Sequence, residues 1–161
     1  MTPLERLCQR NLDLLQSLDI AHRLVEHEPV LDYSTAHAVR QRFALRGVES
    51  KSLFLRIGEQ RYAMLVSVEG ARADWAHLKQ LLGSRPRIAG DEELTELTGC
   101  VPMCACPFGH DARISLLIDR AVLACDFLLY SPGPPQLTLE VAGAHLPRLL
   151  AALPNPQLEY S

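Results

Sequence analysis

The segments SKSLFLRI and RYAMLVSV flank Gly58, Glu59 and Gln60, a spacing that predicts a hairpin of two largely buried strands. A pair this apolar belongs at the centre of a sheet, and the rest of the chain must be arranged around it. Upstream, Thr2, Pro3, Leu4 and Glu5 form a capping box with proline at the first helical position. Leu4, Leu7, Cys8, Leu14, Leu15 and Leu18 then recur at helical spacing, which predicts an N-terminal helix within residues 1–19. IAHRLVEHEP has strand character and stops at Pro29. Ser34 is placed to cap a second helix burying Ala36, Val39 and Phe43, with Gly47 as its stop.

Beyond the hairpin, Asp74 caps a helix that ends at Gly83, and Asp91 caps another that ends at Gly99. ARISLLID, AVLACDFLLY and QLTLEV read as strands, with turns at 119–120 and 132–135. A last helix covers roughly 144–153, and 154–161 is a tail. Strands and helices interleave without the regular βαβ beat of a doubly wound sheet. The expected class is therefore α+β, one domain over residues 1–161. Its sheet is expected to be curved or barrel-like, mixed but mostly antiparallel, with about seven strands and peripheral helices.

The 161 residues suffice for one real core, and 48% apolar with 22% charged residues excludes disorder and fibrous classes. The opening MTPLERLCQR is charged where a signal peptide is apolar, and no apolar run nears the roughly 18 residues of a membrane span. A cytoplasmic protein without a membrane partner is expected. Five cysteines, an odd number, point to reduced thiols rather than a disulfide framework. The net charge of −3 gives no reason to expect a general nucleic-acid binder. Between His37 and Arg61, however, Arg40, Arg42, Arg46, Lys51, Arg56 and Arg61 face only Glu49 and Glu59. That segment is either a basic face suited to a few phosphate contacts or a solvated helix face followed by strand-end charges.

LTGCVPMCACPFGH, residues 97–110, follows a helix stop and concentrates cysteine, proline and glycine. Cys100, Cys104, Cys106 and His110 are of zinc-binding type, but the spacing is not that of two knuckles, and Pro102 and Pro107 stiffen the chain between them. A nucleophilic thiolate needs a base in contact, for which His110 is the candidate beside Cys104 or Cys106. The third reading is a rigid turn whose backbone N–H groups face a carbonyl or developing oxyanion. Lys51, at the start of KSLFL, has a stem that can lie along the sheet while its ammonium reaches a cavity mouth. A lysine facing such a loop makes an ester- or phosphate-handling site. Phosphate-binding glycine motifs, nucleophile elbows and H-E-x-x-H helices do not occur.

EHEPV at 26–30, KSLFL at 51–55, DEELTELTGCVP at 91–102, PFG at 107–109, LIDRAVL at 117–123 and YSPG at 130–133 together resemble the YbaK/prolyl-tRNA-synthetase-associated editing domains. Members of that family hydrolyse amino acids wrongly attached to tRNA. Order and spacing of these stretches cover nearly the whole chain. The resemblance implies an α+β domain with a pocket for the aminoacyl ester at a tRNA 3′ end. Lys51 would anchor the terminal adenosine phosphate or the ester. The family's G-x-x-x-P loop maps onto 103–107, so Met103 and Pro107 join Lys51 as the catalytic set, and main-chain amides of the loop hold the aminoacyl carbonyl and position water. Pro102, Cys104, Ala105, Cys106, Gly109, Ser131 and Ser52 would line or support the pocket, Ser131 matching a serine of cysteine-specific members.

Met103 departs from the family's glycine, and a methionine there narrows, closes or reshapes the loop. Ser52 replaces the asparagine of alanine-specific members, and their pocket histidine has no match near Ser131, so a simple alanine editor is not favoured. The expected activity is metal-independent, cofactor-free deacylation of mischarged aminoacyl-tRNA by a free-standing monomer or weak homodimer. Its partner would be the aminoacyl-tRNA acceptor end, a prolyl-tRNA synthetase complex being left open. The rival is a binding module of the same fold that captures an aminoacyl end, a nucleotide or a protein without turnover.

Overall fold

The computed structural model describes residues 1–160. In chain order the elements are α1 (Pro3–Ser17), β1 (His22–Glu26), α2 (Tyr33–Arg42), β2 (Val48–Ile57), β3 (Arg61–Val68), α3 (Trp75–Leu82), β4 (Arg87–Ile88), α4 (Asp91–Thr98), β5 (Ser115–Asp119), α5 (Arg120–Ala124), β6 (Phe127–Tyr130), β7 (Leu137–Ala142), α6 (Leu146–Ala151) and β8 (Gln157–Tyr160). The expected hairpin is β2 and β3, in register from Ser50 opposite Val68 to Ile57 opposite Arg61. It lies in the middle of an 8-stranded sheet ordered β1-β7-β6-β2-β3-β5-β8, with β4 on β2.

The class is α+β, as expected, but the sheet is neither mostly antiparallel nor closed. β2–β6, β3–β5 and β5–β8 are parallel pairs, the remainder antiparallel. Among the described residues β1 and β8 do not pair, so the path has two free ends. The parallel pairs arise because long connections containing helices and further strands, not tight turns, carry the chain between β3 and β5, and between β5 and β8.

Local chemistry explains the elements. Thr2 accepts from the Glu5 amide and Glu5 accepts from the Thr2 amide, both at 3.1 Å, so the capping box of α1 is present. α2 is capped by Asp32, which accepts from the Thr35 amide at 2.7 Å, and not by Ser34, which lies inside the helix. Gly47 does not stop that helix. It passes the Phe127 carbonyl so closely that an added Cβ would sit 2.0 Å from the oxygen. α4 is capped at Gly90, whose amide donates to Glu93 at 3.0 Å, with Asp91 already helical.

Three further expectations are corrected. AVLACDFLLY is not one strand: Asp119 accepts from the Ala121 amide at 3.0 Å, starting α5, and only Phe127–Tyr130 is extended. The final helix runs only over Leu146–Ala151, preceded by a 3₁₀ turn at Gly143–His145. Residues 154–160 are no tail, because β8 pairs in parallel with β5 and Tyr160 is 4% exposed. No helix among the described residues is long and apolar enough to cross a membrane.

The larger core cluster packs α1 and the loop at 100–108 against one face of the sheet, centred on Leu7, Leu15, Phe54, Met64 and Phe108. A second cluster packs α3 against the other, through Leu55, Leu65, Leu78 and Tyr160, and a third, smaller one gathers Val39 of α2 with Leu45 and Leu129. Tyr160 therefore closes the second core, and its hydroxyl accepts from the Asp74 amide at 2.6 Å. Tyr160→Ala is expected to destabilise by about 3–5 kcal/mol in urea unfolding, and Tyr160→Phe by only ~1 kcal/mol. A loss within error for the alanine variant would show that β8 does not close the core.

Candidate functional site

Along one edge β2 is covered by β3, whereas its other edge meets β6 only at Val48 and Glu49 and β4 only at Leu55 and Arg56. Between those contacts the edge has no strand neighbour among the described residues. The Ser50 carbonyl there accepts from the Tyr33 hydroxyl at 3.3 Å and the Phe54 carbonyl from the Ala89 amide at 2.8 Å. Both carbonyls thus point to the open edge, and period-two alternation aims the N–H and C=O of Ser52 the same way. A cleft of about 510 Å³ fills the gap. The Ser52 hydroxyl, also on the cleft wall, is buried with no hydrogen-bond partner among the described residues.

The loop at 101–105 forms the opposite wall. The Cys104 amide donates to the Val101 carbonyl at 2.9 Å, closing a four-residue turn with Pro102 second and Met103 third. Met103 has φ of 72°, the left-handed value a type II turn needs at that place. Its side chain is 80% exposed at the cleft rim, so it neither plugs nor closes the cavity. The amides of Met103 and Ala105 donate to no group among the described residues, and both residues line the cleft.

Of the residues singled out from sequence, Lys51, Ser52, Met103, Cys104, Ala105 and Ser131 share this cleft. Pro102, Cys106, Pro107 and Gly109 do not: Pro102 is part of the turn without lining the cleft, and the other three follow the turn in the chain. The Lys51 ammonium donates to the Ala71 carbonyl at 2.7 Å, at the border between the cleft and a small hollow shared with Arg72 and Tyr160. Ser131 donates to the Pro134 carbonyl at 2.8 Å and accepts from the Gly133 amide at 3.0 Å, which shapes the neighbouring turn. Gly109, at φ 95°, lies where a Cβ would meet Asn11 Nδ2 at 2.8 Å.

The cysteines form the back of the loop. Burial pushes the Cys104 thiol up to about 11 and that of Cys106 well above its ordinary value, which disfavours a thiolate nucleophile at neutral pH. His110 Nε2 faces the Cys106 carbonyl rather than a thiol, and burial lowers its pKa and favours the neutral ring. Among the described residues no three His, Cys, Asp or Glu side chains converge as metal ligands. Nor is the cationic segment a uniform basic face: Arg42 pairs with Glu28 at 2.7 Å, Arg46 with Glu140 at 2.9 Å and Arg56 with Glu93 at 3.0 Å.

Glu49 is the residue that sequence reading passed over as one of two opposing charges in a cationic stretch. It lines the cleft, half-buried, with no hydrogen-bond or ion-pair partner for its carboxyl among the described residues. Desolvation, then the nearby Glu69 carboxylate, push its pKa up to about 7, against smaller opposing effects of His37 and Arg40. Only its place beside Lys51, on a strand entering a site, could have marked it.

A model of the aminoacyl-tRNA editing domain matches residues 27–149. No curated protein matches the chain significantly. Among solved structures, the hypothetical protein APE2540 is similar with a TM-score of 0.77 and 20% identity, over 89% of this chain and 95% of that one. A candidate trans-editing enzyme for prolyl tRNA synthetase is similar with a TM-score of 0.70 and 23% identity, over 95% of each chain. A scaffold protein used for epitope grafting shares the fold as well, with a TM-score of 0.71 and 20% identity, over 95% of this chain and 96% of that one.

Two stability effects follow from this geometry. Left-handed backbone costs a non-glycine residue roughly 1–2 kcal/mol, against roughly 0.5–1 kcal/mol for the extra freedom of glycine. Met103→Gly, which removes an exposed side chain, is therefore expected to leave stability equal or raise it by ~1 kcal/mol in thermal unfolding. A clear loss would mean that the methionine packs. Glu49, with its folded pKa raised above the unfolded value, favours folding below about pH 4.5, and that advantage is lost as pH rises through 7. Glu49→Gln should match wild type at pH 4 and exceed it by about 1–3 kcal/mol at pH 8. Equal stability at both pH values would show that the carboxyl is solvated.

Proposed function

The chain belongs to the aminoacyl-tRNA editing domain family, and on that premise we propose that it hydrolyses the ester of mischarged aminoacyl-tRNA. The observation that supports the reading is the pair of uncommitted amides at Met103 and Ala105, in a turn that lines a cleft whose other wall is the open edge of β2. Water attacks the aminoacyl carbonyl carbon, and the negative charge that develops on its oxygen is met by these amides. Collapse breaks the ester C–O bond; the terminal ribose oxygen takes up the proton given up by the attacking water, and the free amino acid leaves. Pro102 and Pro107 hold the turn rigid, so the donors are in place before substrate arrives.

Lys51 supplies the positive charge for the terminal nucleotide. Its ammonium retains two protons beyond the one given to Ala71, and Arg72 lies across the same small hollow. The nucleotide end would thus rest over the border of the cleft while the aminoacyl group enters it. The cleft walls admit small side chains readily and discriminate poorly among them, as an apolar pocket does. Ser52, Cys104 and Ser131 add the polar points on those walls. No metal or cofactor takes part in this reading. The similar candidate trans-editing enzyme supports a free-standing editing role, with the prolyl-tRNA synthetase system as the setting in which mischarging arises.

The test is a screen in which tRNAs charged in turn with alanine, cysteine, serine and threonine are incubated with the protein, with and without chelator. Release of at least one amino acid is expected, unchanged by chelation. Lys51→Ala is expected to slow it about 100-fold, comparable to losing one charge-stabilising donor, with an unaltered melting curve. Full activity in that variant would reduce Lys51 to a solvated lysine. Absence of release from every charged tRNA would favour the binding module instead.

A further inference from the structure

We propose that Glu49 is the specificity residue that receives the α-ammonium group of the bound aminoacyl moiety, so that the cleft selects esters of free amino acids. The inference rests on the deacylase reading for the location of the ligand, and on the following geometry for the role.

Among the described residues three carboxyl groups line the cleft: Asp32, Glu49 and Asp91. Asp32 is committed, since it accepts from the Thr35 amide and caps α2. Asp91 is exposed in the first turn of α4, where water satisfies it. Glu49 alone is half-buried with an empty hydrogen-bonding inventory. A carboxyl in that position is costly unless something positive arrives, because removal from water is not offset by any partner among the described residues. The nearest cations do not supply one. His37 is engaged by Glu69 at 2.8 Å, and neither Arg40 nor Lys51 makes an ion pair with Glu49.

The position matches the chemistry of an α-amino ester. Glu49 is the last residue of β2 paired with β6 before the edge opens, and Ser52 follows on that open edge. An ester carbonyl directed at the amides of Met103 and Ala105, across the cleft, leaves the α-substituents facing β2. One α-substituent of an aminoacyl ester is a primary ammonium, and a carboxylate is the group that binds it best. The uncharged side chain of the amino acid would face the apolar wall of Leu94, Ala89 and Leu129.

The experiment uses two non-hydrolysable probes, 3′-alanylamido-3′-deoxyadenosine and its analogue with hydrogen in place of the amino group. Each is titrated calorimetrically into wild type and Glu49→Gln at pH 8. Wild type is expected to bind the amine-bearing probe at least 10-fold more tightly than the analogue, and the variant to bind the two alike. Equal binding by wild type, or a preference kept by the variant, overturns the proposal. Binding of neither probe overturns it together with the deacylase reading. An amine preference lost in the variant, in a protein that releases nothing from charged tRNA, keeps Glu49 as the anchor and sinks only the hydrolysis. Melting of the variant at pH 4, where wild-type Glu49 is neutral, verifies that its fold is intact.

Discussion

One strand with two incomplete neighbours determines this molecule. β2 has β3 along one edge, but its other edge is shared between β6 at Val48 and Glu49 and β4 at Leu55 and Arg56. Backbone polar groups between those contacts must find partners other than a strand, because unpaired buried peptide groups are costly. Tyr33 and Ala89 satisfy Ser50 and Phe54, while Ser52 keeps its groups toward the cavity. The cleft is thus a consequence of sheet topology rather than a hollow carved into a core. It follows that the central hairpin of the sheet is also one wall of the site.

The opposite wall is held by one buried amide. Asn11, 2% exposed on α1, donates through Nδ2 to the Leu7 and Phe108 carbonyls at 3.0 Å, with the Pro132 carbonyl at 3.4 Å and Cys106 Sγ at 3.5 Å. Two N–H bonds shared among these acceptors tie α1 to both loops that wall the cleft. Arg10 adds a bond to the Gly109 carbonyl at 2.8 Å. Glycine at 109 lets the loop approach Asn11 this closely, and Phe108 is locked edge-on against Tyr130 beneath it. The cysteines belong to this supporting layer: Cys100 Sγ accepts from the Cys106 amide at 3.4 Å, and Cys106 donates to the Phe108 carbonyl at 3.2 Å. The thiols act as small, weakly polar packing units that help set the turn geometry.

Much of this was legible in the residues, and the failures have physical causes. The β2–β3 hairpin and α1 were readable because apolar spacing and capping chemistry agree there. Local chemistry misleads at AVLACDFLLY, where an apolar run mimics a strand but the Asp119 cap turns its first half into a helix. β8 and β4 are short edge segments with weak periodicity, and only tertiary pairing makes them strands. At the site, Met103 was conspicuous as a residue in a glycine's place, and its left-handed φ gives the reason a glycine is usual. Glu49 was illegible because a strand carboxylate gives no hint of what surrounds it until β6, α2 and Glu69 are brought together in space.

The arginines clustered in sequence show the opposite lesson, that a charge counted along the chain is not a charge offered to a ligand. Glu140, almost wholly buried, takes both the Arg46 amide at 2.6 Å and its guanidinium at 2.9 Å. Glu93 is held down to about 2 by the Gly90 amide first, and by Tyr62, Arg56 and Arg87, so that corner is a closed network. With those pairs formed the segment offers a polyanion fewer free charges than its sequence suggests, and on the proposed reading binding would draw on contacts made inside and at the rim of the cleft. A ligand held that way is read by its end group more than by its length. An aminoacyl end carries an ammonium and a phosphate only a ribose and an ester apart, and the fold presents Glu49 and Lys51 as next-but-one neighbours on the same strand. On the proposed reading, the two charges of the ligand would be matched by two residues whose backbone separation is fixed by the pleat of β2, so that the site would recognise the spacing of charge rather than its amount.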